Sequence, residues 1–218
     1  MKQLMLISAL GLSLLLGGCA EPPAKPKSKA VYMLLDTSGT YTEELNKAQK
    51  IINYLLLTLN SGDSVAVARI DSGSFSEKDI VAKVTFDNRP SAVNEQKRAF
   101  KRRIDEFVSA AKGSPHTDIS GGVLQAAEYL NETGAGEKYV LVFSDLEEDL
   151  AKNQVRDFVI PLVDINVVAL NVTKLRTDNI DPRDYLKRLD GWEQRVEQGG
   201  GVWKVVNDLE RLDNLLKL

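Results

Sequence analysis

Residues 30–40 read Ala30-Val31-Tyr32-Met33-Leu34-Leu35-Asp36-Thr37-Ser38-Gly39-Thr40: six apolar positions, then an acid, three hydroxyl residues and a glycine. An apolar run with no alternating polar face must, as a strand, be covered on both sides, as in a parallel sheet between two helical layers. The polar residues then mark its C-terminal end. The same kind of run recurs at 64–70, 80–86, 139–143, 164–170 and 202–206. Between most of them lie stretches with helical spacing. In 43–59, Leu45, Ala48, Ile52, Leu55, Leu56 and Leu59 fall on one face. In 92–111, Phe100, Ile104, Phe107, Val108 and Ala111 do the same, and further helices are predicted over 118–131, 147–159, 182–197 and 208–217. Strands alternating with helices predict an α/β open sandwich, a mainly parallel central sheet with helices on both faces. One pair departs from that rule. Only nine residues, 71–79, separate 64–70 from 80–86, too few for a helical crossover, so these two form an antiparallel hairpin at one edge.

Sheets of this kind place their binding sites where the strands end at their C-termini. Three polar clusters fall there: Asp36 to Thr40, Ser144-Asp145-Leu146-Glu147-Glu148-Asp149, and His116-Thr117-Asp118. Hydroxyls at alternate positions beside a carboxylate are oxygen-only donors and suit a hard cation such as Mg²⁺. Few anionic ligands leave such an ion electron-poor, with affinity for an external carboxylate.

The chain has 218 residues, 28 basic and 31 acidic. That balance excludes the basic character of a nucleic-acid binder, and no nucleic-acid partner is expected. With one histidine, His116, and one cysteine, Cys19, multi-His metal sites, Cys/His zinc modules and disulfide scaffolds are excluded. The run Leu4 to Leu16 has 13 residues after Met1, Lys2 and Gln3, short of the roughly 20 of a membrane-spanning helix, and reads as an export signal over 1–18. Removing it leaves 27 basic against 31 acidic residues, a net charge of −4. Residues 19–29 then form a Pro/Lys/Ser linker, semi-extended and about 30 Å long, and 30–218 form the folded domain.

Leu16-Gly17-Gly18-Cys19 resembles a bacterial lipobox. The resemblance implies cleavage before Cys19, acylation of its thiol and a lipid-anchored protein of the cell envelope. Ala20 rather than Asp at the next position resembles sorting to the outer membrane, where the host has two. The alternative is an ordinary cleaved signal followed by a chance Cys.

Asp36-Thr37-Ser38-Gly39-Thr40 resembles the DxSxS signature of the von Willebrand factor type A domain, with Thr in the last hydroxyl position. Thr117-Asp118-Ile119-Ser120-Gly121-Gly122-Val123-Leu124 is similar to the family's Thr loop, and Phe143-Ser144-Asp145 to its strand-then-Asp element. Gly199-Gly200-Gly201-Val202-Trp203, with Leu209 and Leu212 beyond, is similar to its last turn, strand and helix. The resemblance implies a Rossmann-like fold and a metal-ion-dependent adhesion site for Mg²⁺ or Mn²⁺. It implies that Ser38 and Thr40 ligate directly, that Asp36 and Asp145 hold the ion through water, and that Thr117 joins directly or through water. A carboxylate of a protein or envelope partner would complete the shell, and the domain would be a binding module and not an enzyme.

Residues 36–40 also resemble the first motif of haloacid dehalogenase-like phosphohydrolases, with Asp36 as nucleophile, Ser72 after a strand, Lys138 before one, and Asp145 with Asp149 as an acidic metal pair. Ser38 stands where those enzymes carry a second Asp, and Thr117-Asp118-Ile119 is left without a role. Elsewhere the bland reading holds. No Gly-x-Ser-x-Gly elbow accompanies His116, which reads as a solvated loop histidine. The basic run Lys97 to Arg103 reads as a solvated helix face, with contact to an acidic partner or lipid as its alternative. Glu147, Glu148 and Asp149 read as the acidic start of a helix. Trp192 and Trp203 read as packing residues and Gly199 to Gly201 as a helix stop.

Overall fold

The computed structural model describes residues 26–39, 41, 44–152 and 154–208. Strand β1, Lys29–Asp36, is buried along nearly its whole length, as its uninterrupted apolar run requires. It is central in a six-stranded sheet ordered β3-β2-β1-β4-β5-β6. The other strands are β2 (Ser64–Ile70), β3 (Ile80–Thr85), β4 (Glu137–Phe143), β5 (Ile165–Leu170) and β6 (Val202–Val206). Only β2 and β3 pair antiparallel; β1 with β2, β1 with β4, β4 with β5 and β5 with β6 are parallel. The short connection 71–79 thus closes the hairpin its length demands.

Alternate residues of β1 feed two cores. Val31, Met33 and Leu35 pack with α1 (Leu45–Thr58) and α2 (Pro90–Ala110). Ala30, Tyr32 and Leu34 pack with α3 (Ile119–Glu132) and α4 (Pro182–Gln198) on the other face. Each fully buried aliphatic side chain here contributes roughly 1.5–3 kcal/mol of transfer free energy, so two such faces fix the strand register. Local chemistry sets the helix ends. Pro90 and Pro182 open α2 and α4, where the missing N–H has no helical partner. Asp118 and Asp181 cap α3 and α4 through side-chain oxygens, and Gly199 closes α4.

The structure overturns one predicted element. The described residues of 147–159 form no helix, and none occurs among the described residues of the β4–β5 crossover, 144–164. The physical cause is on both sides of the backbone. Asp149 exchanges both of its main-chain groups with Thr117 (N···O 2.8 and 3.0 Å), and those groups are lost to a helical ladder. Within that stretch Val155 and Val159 are exposed rather than packed. The acidic start is real, but it serves another helix: Glu148 accepts from Ser120 N–H (2.7 Å) and Ser120 Oγ (2.9 Å) in the first turn of α3. Cys19, the signal segment 1–18, Thr40 and the helix predicted over 208–217 lie outside the described residues, apart from Asp208. Among the described residues no helix is long and apolar enough to cross a membrane.

Candidate functional site

β1 and β4 are neighbours, with Leu35 opposite Phe143, so the two acids that follow these strands emerge side by side. Asp36 is fully buried and Asp145 nearly so. Asp36 Oδ1 accepts from the Ser38 backbone N–H (2.8 Å) and Oδ2 from Ser144 Oγ (2.6 Å). Both carboxylate oxygens are therefore engaged, which fixes the side chain. Ser144 Oγ also accepts from Leu146 N–H (2.9 Å), bracing a turn in which Leu146 has φ 66°. That left-handed conformation is unfavourable by roughly 1–2 kcal/mol for a residue with a Cβ. Leu146 stays there because its carbonyl accepts from Trp192 Nε1 (3.1 Å) and its side chain is buried.

The hydroxyl loop is held from below and from the side. Thr37 is buried and donates through Oγ1 to the Ile70 carbonyl (2.7 Å). Its own carbonyl accepts from Ser114 N–H (2.6 Å), and Ser38 and Ser114 form a parallel bridge. Tyr41 donates to the Asn171 carbonyl (2.6 Å) and stacks edge-on against Phe143 (5.3 Å). Thr37 and Gly39 thus shape the turn, while Ser38 remains half-exposed at its rim. Thr117, buried, reaches the same edge through its antiparallel bridge to Asp149.

The electrostatics follow from burial. Desolvation pushes the Asp36 carboxyl above its ordinary range, against the lowering effect of the Ser144 and Ser38 hydrogen bonds. Desolvation, with help from the neighbouring Asp36 charge, pushes Asp145 up to about 6, against the lowering effect of the Glu147 N–H and Arg188. Arg188 does not neutralise the pair: its Nε donates to the Asp145 backbone carbonyl (2.9 Å) and its head pairs with Asp178 (2.9 Å). Among the described residues no ion pair reaches Asp36 or Asp145. Two uncompensated buried carboxylates beside hydroxyls form an oxygen-only donor set, and that set fits a hard divalent cation. No group of three or more His, Cys, Asp or Glu among the described residues could hold a metal, so hydroxyls would have to supply the remaining ligands.

No protein-family model matches the sequence, and no curated protein does. Solved structures do match. A von Willebrand factor type A protein from Catenulispora acidiphila aligns over 88% of this chain and 41% of its own, with TM-score 0.56 at 13% identity. The fold is that of a von Willebrand factor type A domain. BatB from Bacteroides thetaiotaomicron shares it over 87% of this chain and 96% of its own (TM-score 0.53, 13% identity). The pilus adhesin SpaC from Lactobacillus rhamnosus GG shares it over 90% and 30% (TM-score 0.55, 11% identity). The chain thus spans well under half of the Catenulispora protein and of SpaC.

On this von Willebrand factor type A fold, Asp36, Ser38, Thr117 and Asp145 gather at one sheet edge. Sequence reasoning did not anticipate the residues that hold them. Ser144 is the clearest: its register opposite Asp36 is readable only once β1 and β4 are known to be adjacent. Asp118, fully buried, receives Gly121 N–H (2.8 Å), Ser74 N–H (3.0 Å) and the Arg156 guanidinium (2.6 Å). Arg156 lies 38 residues away, and no local pattern announces it. His116 pairs with the exposed Asp149 carboxylate (3.0 Å).

Proposed function

We propose that this chain is a lipid-anchored binding module of the bacterial cell envelope that recognises an acidic group on a protein or envelope partner through a bound Mg²⁺ or Mn²⁺. The observation that carries the reading is the buried, unneutralised pair Asp36 and Asp145 beside the Ser38 loop. In this reading Ser38, Thr40 and Thr117 offer hydroxyl oxygens directly, while Asp36 and Asp145 act through water. The engagement of both Asp36 oxygens by Ser38 and Ser144 supports an indirect role for that residue. When bound, the cation supplies an electron-poor position for a carboxylate from outside. The chain's own residues fix the donors, bury the two charges and leave Ser38 at the rim. The shared fold of a pilus adhesin supports a protein-binding role. Cys19 carries the anchor, and 19–29 the tether, ahead of a domain over 30–218.

Phosphohydrolase chemistry is not part of this proposal. Lys138 sits at the start of β4, the end of the sheet opposite Asp36, and its Nζ donates to Asn131 (2.8 Å). Asp149, the second acid such a site would use, is committed to His116.

The test is Mn²⁺ affinity of residues 20–218, which keep every residue of both cores, against the Ser38→Ala/Thr40→Ala variant. Loss of direct ligands should weaken binding by at least about 100-fold, more than outer-sphere changes usually do; unchanged affinity would contradict the assignment. For the anchor, Cys19→Ala in the full chain should leave the detergent fraction on phase partitioning, and retention there would refute acylation.

A further inference from the structure

The basic run Lys97 to Arg103 has no part in the cation site, yet it does more than decorate a helix. α1 and α2 together carry seven basic against three acidic residues, in a chain whose net charge is −3. The charge is concentrated on one face of the domain. Arg98, Arg102 and Arg103 are exposed, and no ion pair among the described residues engages them. Between the two helices runs a groove of about 350 Å³ lined by Leu56, Leu57, Lys97, Arg98 and Lys101 among others. Leu57 is 83% exposed at its rim, although it sits in an otherwise well-packed helix. An exposed Leu beside Arg98, with Arg102 one turn further along α2, is the pattern of a surface that meets both a charged and an apolar layer.

The basic excess of this face and the reach of the tether point to the layer. The C-terminal end of α1 meets the start of the folded chain through Asp63, whose oxygens accept from Lys29 N–H and Asn60 N–H (both 2.7 Å). Lys97 Nζ donates to the Leu59 carbonyl (2.6 Å) next to it. The start of β1 thus lies at the same end of the sheet as the groove, while Ser28 just before it accepts from Gly136 N–H and Glu137 N–H (3.1 and 3.3 Å) at the turn before β4. Residues 19–28 span about 30 Å at most when extended, so a bilayer holding Cys19 lies within reach of the α1–α2 face.

We propose that the α1–α2 face docks on an anionic lipid bilayer, with Arg98 and Arg102 over the headgroups and Leu57 entering the interface. The proposal rests on the lipid-anchor reading for its geometry, and it orients the domain so that the candidate cation site, at the C-terminal ends of the strands, stays clear of the surface. Docking of this type is electrostatic in range and apolar in finish, so it weakens with salt.

The experiment uses residues 20–218, which lack Cys19, in sedimentation with vesicles of phosphatidylcholine containing phosphatidylglycerol and with vesicles of phosphatidylcholine alone. Binding is expected only to the first kind, and high salt should abolish it. Arg98→Glu/Arg102→Glu should bind at least about thirtyfold more weakly, since loss of each surface cation alone costs roughly fivefold in partitioning onto an anionic leaflet. Leu57→Gln should weaken it by a smaller factor at unchanged thermal stability. Equal binding to both vesicles, binding untouched by the charge reversal, or no binding would overturn the proposal. Capture of polyglutamate by this face in place of vesicles would also overturn it, making the partner an acidic polypeptide. Because the protein tested carries no anchor, a negative result leaves acylation of Cys19 to its own test in the detergent partition.

Discussion

The chain leaves β1 and β4 at neighbouring points of one sheet edge, and the two departures are unlike. After β1 it makes a polar turn and enters α1, whose Leu45, Ala48, Ile51, Ile52, Leu55 and Leu56 are all buried. After β4 it crosses 21 residues, 144–164, with no helix among the described ones, fastened by side chains instead: Ser144 to Asp36, Glu148 to Ser120, Arg156 to Asp118. Apolar periodicity decides structure where it has a core to meet. Where polar side chains have distant backbone or charged partners, those partners decide, and a helical-looking spacing carries no weight.

The contrast can be broken or sharpened by substitution. Leu55, fully buried in α1, should cost roughly 3–4 kcal/mol as Leu55→Ala. Urea unfolding measures it, and a loss under about 1 kcal/mol would mean the α1 face is loosely packed. Arg156→Ala leaves the fully buried Asp118 without its cation. The expected cost is about 2–3 kcal/mol, below that of a wholly enclosed pair because the guanidinium touches solvent. If the crossover instead relied on its apolar residues, Val155→Ala would matter; at 74% exposure it should shift stability by less than about 0.5 kcal/mol.

This division also describes what could be read in advance. The six strands, the hairpin across 71–79 and helices α1 to α4 were legible because each is written in local spacing. Asp36, Ser38 and Asp145 could be placed on one edge because each follows a strand. Ser144 as the brace of Asp36, and Arg156 as the partner of Asp118, were not legible: they depend on strand order and on a contact across 38 residues. The helix over 147–159 was misread because its spacing matched while its acids had partners elsewhere. Glu148 does sit at a helix N-terminus, that of α3 and not its own.

The proposed function turns on Asp36 and Asp145 as a buried acidic pair, and pH tests that pairing most directly. Asp145 titrates at about 6 in the folded chain against 3.8 when unperturbed, and Asp36 is shifted the same way. Raised values mean the folded state binds protons more tightly than the unfolded one. The resulting stability is present at low pH and lost as pH rises through about 6. The measurement is urea unfolding of metal-free residues 20–218 at pH 7 and pH 5, with and without saturating Mg²⁺, beside Asp145→Asn. The account predicts that the metal-free protein gains on the order of 1 kcal/mol at pH 5, that Asp145→Asn loses most of this gain, and that Mg²⁺ reverses its sign by binding the charged form. A metal-free protein with no gain at pH 5, or a gain that Mg²⁺ leaves untouched, would contradict it.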